Sequence, residues 1–198
     1  MMDMAKHELT PRDLMPIDQY GRERRDHGRR VAELKKRRRL EVGPDATFYF
    51  ENYDTMWFQV HEMLHIEKGG PDQIPDELDA YNPLIPKGRE LVATMMIEID
   101  DPARRARVLD QLGGIEETIS IAVNGETIRA VAEGDVDRTD AAGKASSVQF
   151  IHFPFTDAQA DAFREPGADV VVAIGHPRYR HMAGLPEEVR AALTEDFD

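Results

Sequence analysis

Residues 61–65 read His-Glu-Met-Leu-His, which is the pattern H-E-x-x-H. On a helix this spacing sets two imidazoles on one face, where they can hold zinc, with the glutamate beside them as general base. A catalytic zinc of this kind needs a third protein ligand and one position left for water. The extended form of the motif is absent, because Lys68 stands where its glycine belongs and Pro71 where its histidine belongs. Glu77 is the nearest glutamate in a helical setting, but it follows His65 across a proline-rich stretch. His152, His176 and His181 can serve only if the fold brings them close. The chain has no cysteine, so any metal must sit on His, Asp or Glu, and disulfides, thiolate sites and cysteine nucleophiles are excluded.

The element that carries the motif is expected over Tyr53 to Lys68, capped by Asn52 or Asp54 and ended by Gly69-Gly70-Pro71. Spaced at about 100° per residue, Met56, Trp57, Val60, Met63 and Leu64 share a broad apolar face. His61 and His65 fall on its border and Glu62 on the polar side. Three readings follow. In one, His61 and His65 bind zinc or another divalent metal and Glu62 is the catalytic base of a hydrolase. In a second, His61, His65 or Glu67 belongs to a metal site without a catalytic role. In the third, the histidines cover the edge of a core-facing helix with Trp57 beneath them. Glu67 projects toward the apolar face, where an unpaired carboxylate is costly; it needs an arginine partner, or the helix must end before burying it.

The chain has 198 residues and a net charge of -13, with a mean hydropathy of -0.53. No stretch is apolar enough to span a membrane and the N-terminus has no signal-peptide core, so a cytoplasmic protein is expected. The acidic balance argues against general nucleic-acid affinity. From Arg22 to Arg39, however, ten Lys or Arg stand against three acids, about +7, which leaves about -20 on the remainder. This segment is expected as a helix from about Pro16 to Arg39, strained near Gly28. It can be a nucleic-acid arm, or a helix paired internally with the acidic remainder; without interleaved aromatics, the second reading is adopted.

Further along, strands are expected over Thr47 to Glu51 and Arg89 to Asp100. The proline-rich stretch between the motif and the second strand allows a short helix over Asp76 to Tyr81. Asp101-Pro102 opens a helix toward Leu112. Asn124-Gly125 between β-branched runs specifies a hairpin of Glu117 to Val123 and Glu126 to Ala132. A strand in "SSVQFIHFPF", a helix capped by Thr156, a strand in "ADVVVAIG" and a helix from Pro186 follow, with Val189, Leu193 and Phe197 on one face. Hairpins dominate over βαβ units. The expected fold is α+β, an antiparallel sheet of about five to six strands with helices packed on it. Residues 1–40 are expected as a helical basic region packed on a single domain of residues 41–198.

The blocks "LTPRDLMPIDQY", "KKRRRLEVGPDATFYFEN", "EMLHIE", "DELDAYNPLIPKGRELVATMMIEI", "DRTDAAGKASSVQFIHF" and "GHPRYRH" resemble a bacterial family catalogued as domain of unknown function 3501. The resemblance runs over nearly the whole chain and is most specific at "ELDAYNPLIP". It carries no established activity. Members encoded beside rubrerythrin-like and iron–sulfur proteins imply a link to peroxide or iron redox metabolism. In the family pattern the position of His61 is usually Gln and that of His65 often Arg, so a metal site there would be peculiar to this chain. Polar residues in the matching blocks, Glu62, Glu67, Asp79, Tyr81, Asn82, Arg138, Lys144 and His176, are the expected pocket or interface; the alternative for Tyr81-Asn82-Pro83 is a loop fixed by side-chain to backbone bonds. The functional expectation is an accessory or binding protein, a homodimer with a redox-system protein partner, rather than an enzyme. A zinc hydrolase and a nucleic-acid binder are the alternatives.

Overall fold

The computed structural model describes residues 6–134 and 144–198. Among the described residues, nine strands form two antiparallel sheets. The first contains β1 (Arg39–Val42), β2 (Ala46–Glu51), β3 (Glu90–Ile97), β6 (Val131–Ala132) and β7 (Val148–Pro154), in the order β1-β2-β3-β7-β6. The second contains β4 (Ile119–Val123), β5 (Glu126–Arg129), β8 (Val170–His176) and β9 (Tyr179–Gly184), in the order β5-β4-β8-β9. Six α-helices complete the fold: α1 (Ile17–Lys36), α2 (Tyr53–Glu67), α3 (Ile74–Tyr81), α4 (Pro102–Leu109), α5 (Asp157–Arg164) and α6 (Glu187–Leu193). The α+β class and the antiparallel pairing agree with the sequence. Two sheets replace the one expected: β6 is only two residues long and β9 is mostly polar, while β1 alternates over only four residues, so none gives a sustained apolar signal that assigns it to a sheet.

The two sheets face each other. Phe48, Phe50, Leu91, Met95, Ile151 and Phe153 of the first share one core with Ile119, Ile121, Val172 and Ile174 of the second. Leu109, Phe163, Val189 and Leu193 of α4, α5 and α6 close that core. The other face of the first sheet presents Val92 and Phe150 to a second apolar cluster made by Leu9, Met56, Val60, Leu64, Leu78 and Leu84. Central β3 is thus buried on both faces, which is why Leu91, Val92 and Ala93 are all inaccessible.

The hairpin at Asn124-Gly125 forms as expected, with both residues at positive φ, 49° and 86°. Its second strand is shorter than expected and divides. Ala130 still donates to the Ile119 carbonyl in the second sheet, whereas Val131 and Ala132 pair with β7 in the first. One continuous stretch therefore sews the sheets together. A second seam is Tyr179, whose hydroxyl accepts from the Asp45 and Ala46 amides and donates to the Val42 carbonyl, each at 2.9 Å.

Across β3, β7 and β6 lies a charged staple. His152 Nδ1 is 3.0 Å from Glu90 and Nε2 is 3.0 Å from Glu133. Carboxylates only accept, so both ring nitrogens must donate and the ring is an imidazolium. Glu90 above all, with Glu133, raises its pKa against the opposing effect of burial. The folded value therefore lies above the unfolded one, and the stabilisation is fully present below about pH 6.5 and lost as pH rises through the folded value. Urea midpoints of the wild type are expected to fall between pH 6 and pH 9, and His152→Gln to flatten that slope.

No helix among the described residues is long and apolar enough to cross a membrane.

Candidate functional site

Helix α2 begins at Asn52, whose side chain accepts from the Thr55 amide at 3.0 Å, and ends at Lys68 in the left-handed conformation, φ 56°. One face lies on the first sheet through Met56, Val60 and Leu64. The border that projection left between core and solvent is covered by α1, which runs antiparallel along it as a continuous helix. Gly21 lies against His65, Arg24 against Glu62 and Gly28 against Phe58. Gly21 allows the helices to approach closely, since a Cβ there would sit 3.1 Å from the His65 ring. At position 28 a Cβ would meet Phe58 at an ordinary 3.8 Å, so packing does not demand glycine there, and α1 runs through it without interruption.

Burial by α1 determines the fate of the motif. His61 is fully inaccessible, its ring 3.9 Å from that of Trp57 and 4.9 Å from that of Tyr20. Nδ1 lies 2.7 Å from the Trp57 carbonyl, and Nε2 lies 3.1 Å from the Met15 amide. A carbonyl only accepts and an amide N–H only donates, so the ring is neutral with its proton on Nδ1. Burial lowers its pKa, in agreement with that tautomer. Neither nitrogen is open to a metal. Glu62 is engaged as fully. Its Oε1 accepts from the Tyr20 hydroxyl at 2.5 Å and from Arg24 Nε at 2.8 Å, and its Oε2 accepts from Arg24 Nη2 at 2.7 Å. The Arg24 guanidinium, helped by the Tyr20 hydroxyl, holds this carboxyl below its ordinary pKa, which makes it a weak base. Among the described residues no three His, Asp or Glu side chains are grouped so as to hold a metal ion.

The other expected site residues are dispersed. Glu67 lies exposed at the end of α2, where it accepts from Gln73 Nε2 at 2.7 Å, so the helix does end before burying it. Asp79 is exposed on α3. The Tyr81 hydroxyl meets Gln59 Nε2 at 3.4 Å. Asn82 grips the backbone of Leu9, accepting its N–H at 2.7 Å and donating to its carbonyl at 3.0 Å. These four share the helical side of the molecule. His176 stands apart at the end of β8 in the second sheet, its Nδ1 accepting from the Arg178 amide at 3.2 Å. Lys144 precedes β7, and Arg138 lies outside the described residues. Of the basic segment, Arg24 pairs with Glu62 and Arg38 with Asp196, while Arg29 and Lys36 pair with Asp26 and Glu33 on α1 itself.

What the helical side does build is a groove. Residues 9–16 run over α2 as a strap, tied by Asn82 at Leu9, by Trp57 Nε1 donating to the Asp13 carbonyl at 2.9 Å, and by His61 at Met15. Where the strap turns into α1, it leaves a cleft of about 760 Å³ against the ends of α2 and α3. Leu14, Met15, Ile17, Leu64 and Ile74 give it an apolar lining, and Arg22, His65, Lys68 and Asp18 add polar groups. Of these residues the motif reading singled out only His65. The remaining signals, Gly21 in α1 and a lysine in place of glycine at the end of α2, gain meaning once the two helices are docked.

A helix layer on a pair of antiparallel sheets, with a cleft where three helix ends meet, defines a two-sheet α+β protein. The chain belongs to the family described as Protein of unknown function (DUF3501), whose model matches residues 8–197. It is similar to a solved structure, a novel protein of unknown function from Burkholderia pseudomallei K96243, with 38% identity, a TM-score of 0.89, and coverage of 96% of this chain and 99% of that one. No curated protein matches.

Proposed function

We propose that this chain is an accessory protein that acts by binding, in a redox or iron-linked system and as a homodimer, with the cleft between the strap, α1, α2 and α3 as its ligand seat. The observation that carries the binding reading is the cleft itself. Its volume is in the range of small-molecule sites, and its lining is apolar with a few polar groups to fix orientation. The occupied state of His61 and Glu62 supports binding over hydrolysis at the motif. The redox setting rests on what the family resemblance implies. The homodimer is supported by the division of charge between a basic helix and an acidic remainder, which lets one copy complement another.

The test uses N-phenylnaphthylamine, a neutral dye that brightens in apolar surroundings. One dye per chain is expected to bind the wild type. Ile74→Trp, which fills the cleft, and Ile17→Glu, which charges its wall, are expected to abolish binding while circular dichroism stays unchanged. Dye binding that survives both substitutions would place the seat elsewhere. Sedimentation at low and high salt tests the dimer: a mass of one chain under both conditions would end that part of the proposal.

A further inference from the structure

Starting from the cleft as a binding seat, we infer that it takes an amphipathic anion, a molecule with an apolar body and a carboxylate-like head, and that Lys68 and Arg22 receive the head. The lining is apolar at Leu14, Met15, Ile17, Leu64 and Ile74, which suits an aliphatic or aromatic body. The polar groups are unbalanced in sign: two permanent cations, Arg22 and Lys68, and a titratable His65 against the single acid Asp18. In a chain of net charge -13 such a local excess stands out. Neither Arg22 nor Lys68 is in an ion pair or side-chain hydrogen bond among the described residues, so both charges are available to a ligand; of the unpaired cations on α1 and at the end of α2, these are the two that line the cleft.

The backbone at Lys68 adds an independent observation. Lys68 closes α2 at φ 56°, in the left-handed region that a residue with a Cβ adopts at a penalty and that glycine adopts freely. Two glycines follow directly, yet the lysine takes the position. A residue with a Cβ held in the left-handed region at the wall of a cleft is the pattern of a residue kept for its side chain.

The experiment displaces bound N-phenylnaphthylamine with decanoate, decanol and decyltrimethylammonium. These share one apolar body and differ only in the sign of the head. Decanoate is expected to displace the dye at a concentration about tenfold below that of either alternative. Lys68→Gly is expected to remove most of that preference while leaving the melting temperature unchanged or raised. A merely structural lysine would not give that split, since glycine relieves the backbone there. Arg22→Gln is expected to weaken the preference further. Equal displacement by all three heads, preference for the cation, or a decanoate preference that survives both substitutions would overturn the anion assignment and leave the cleft as an apolar seat. Failure of the dye to bind the wild type would instead remove the seat and the inference with it.

Discussion

Replacing Arg38 with Met is expected to remove about 3–5 kcal/mol of folding stability. Although Arg38 lies within the basic run in sequence, its side chain is one of the least accessible in the protein, at 1%. Nε donates to the Phe50 carbonyl at 3.0 Å, Nη2 to the Glu51 carbonyl at 3.1 Å and Nη1 to the Ala192 carbonyl at 3.3 Å, and Nη2 also pairs with Asp196. The guanidinium thus joins the end of β2 to the C-terminal turn after α6. Without it, those carbonyls and the Asp196 carboxylate stay buried and lose their donor. Burial already pushes the Asp196 carboxyl up to about 6 against the pull of Arg38, so removal of the arginine leaves Asp196 to take a proton. Asp196→Asn is expected to be the milder change, because the arginine keeps its three carbonyl acceptors. Urea denaturation of both single variants and of Arg38→Met/Asp196→Asn gives the coupling. A double variant as unstable as the sum of the singles would show that the pair acts independently.

His61→Ala is expected to cost about 2–4 kcal/mol, through the lost packing between Tyr20 and Trp57 and the Met15 N–H left without its acceptor, while the Trp57 carbonyl keeps its helical bond within α2. His61→Gln, whose amide oxygen can still accept the Met15 N–H, should cost less. Trp57 is the sole tryptophan of the chain and donates to the strap, so its emission reports strap release directly. A red shift is expected for the alanine variant and little change for glutamine. The pH dependence has a definite sign. Burial holds the folded pKa of His61 below its unfolded value, so its stabilising contribution is present above about pH 6.5 and lost as pH falls through the folded value. At that point Nε2 becomes a donor facing a donor. The other charged or titratable groups around it are His27 and Tyr20 on α1, Asp13 on the strap, and Glu62 with Arg24 and His65 alongside. His152 acts in the opposite direction, so stability should decline on both sides of neutrality, with His61→Gln removing the acid arm. A thermal upshift on adding zinc to the wild type that His61→Gln eliminates would return the metal reading to favour.

The motif shows how a one-dimensional pattern can carry two meanings. Projection of α2 placed His61 on a border and Glu62 toward solvent, because it counts the faces of one helix and contains no information about a second helix laid across it. Once α1 docks, the border becomes interior. The imidazole is then held by two backbone groups, and the glutamate becomes the anchor for Tyr20 and Arg24. The resemblance of the chain to its family was legible in blocks such as "ELDAYNPLIP", and within that block Asn82 fixes the strap through its backbone bonds to Leu9.

Features whose causes lie within a few residues are legible in the sequence. These are the Asp101 and Thr156 caps, the Asn124-Gly125 turn, the α+β class and the apolar faces of the main strands and helices; the sequence narrows the cap of α2 to Asn52 or Asp54, and the fold uses Asn52. Tertiary structure decided which elements meet. It divided the strands between two sheets, since pairing partners along β1, β6 and β9 are chosen by neighbours distant in sequence and edge strands need no apolar alternation. It buried Arg38, whose position in a run of like charges gave no sign that four acceptors awaited it. It also brought the strap, α1, α2 and α3 around one cleft. Local periodicity records that a residue is apolar or charged; only long-range packing sets what that residue faces.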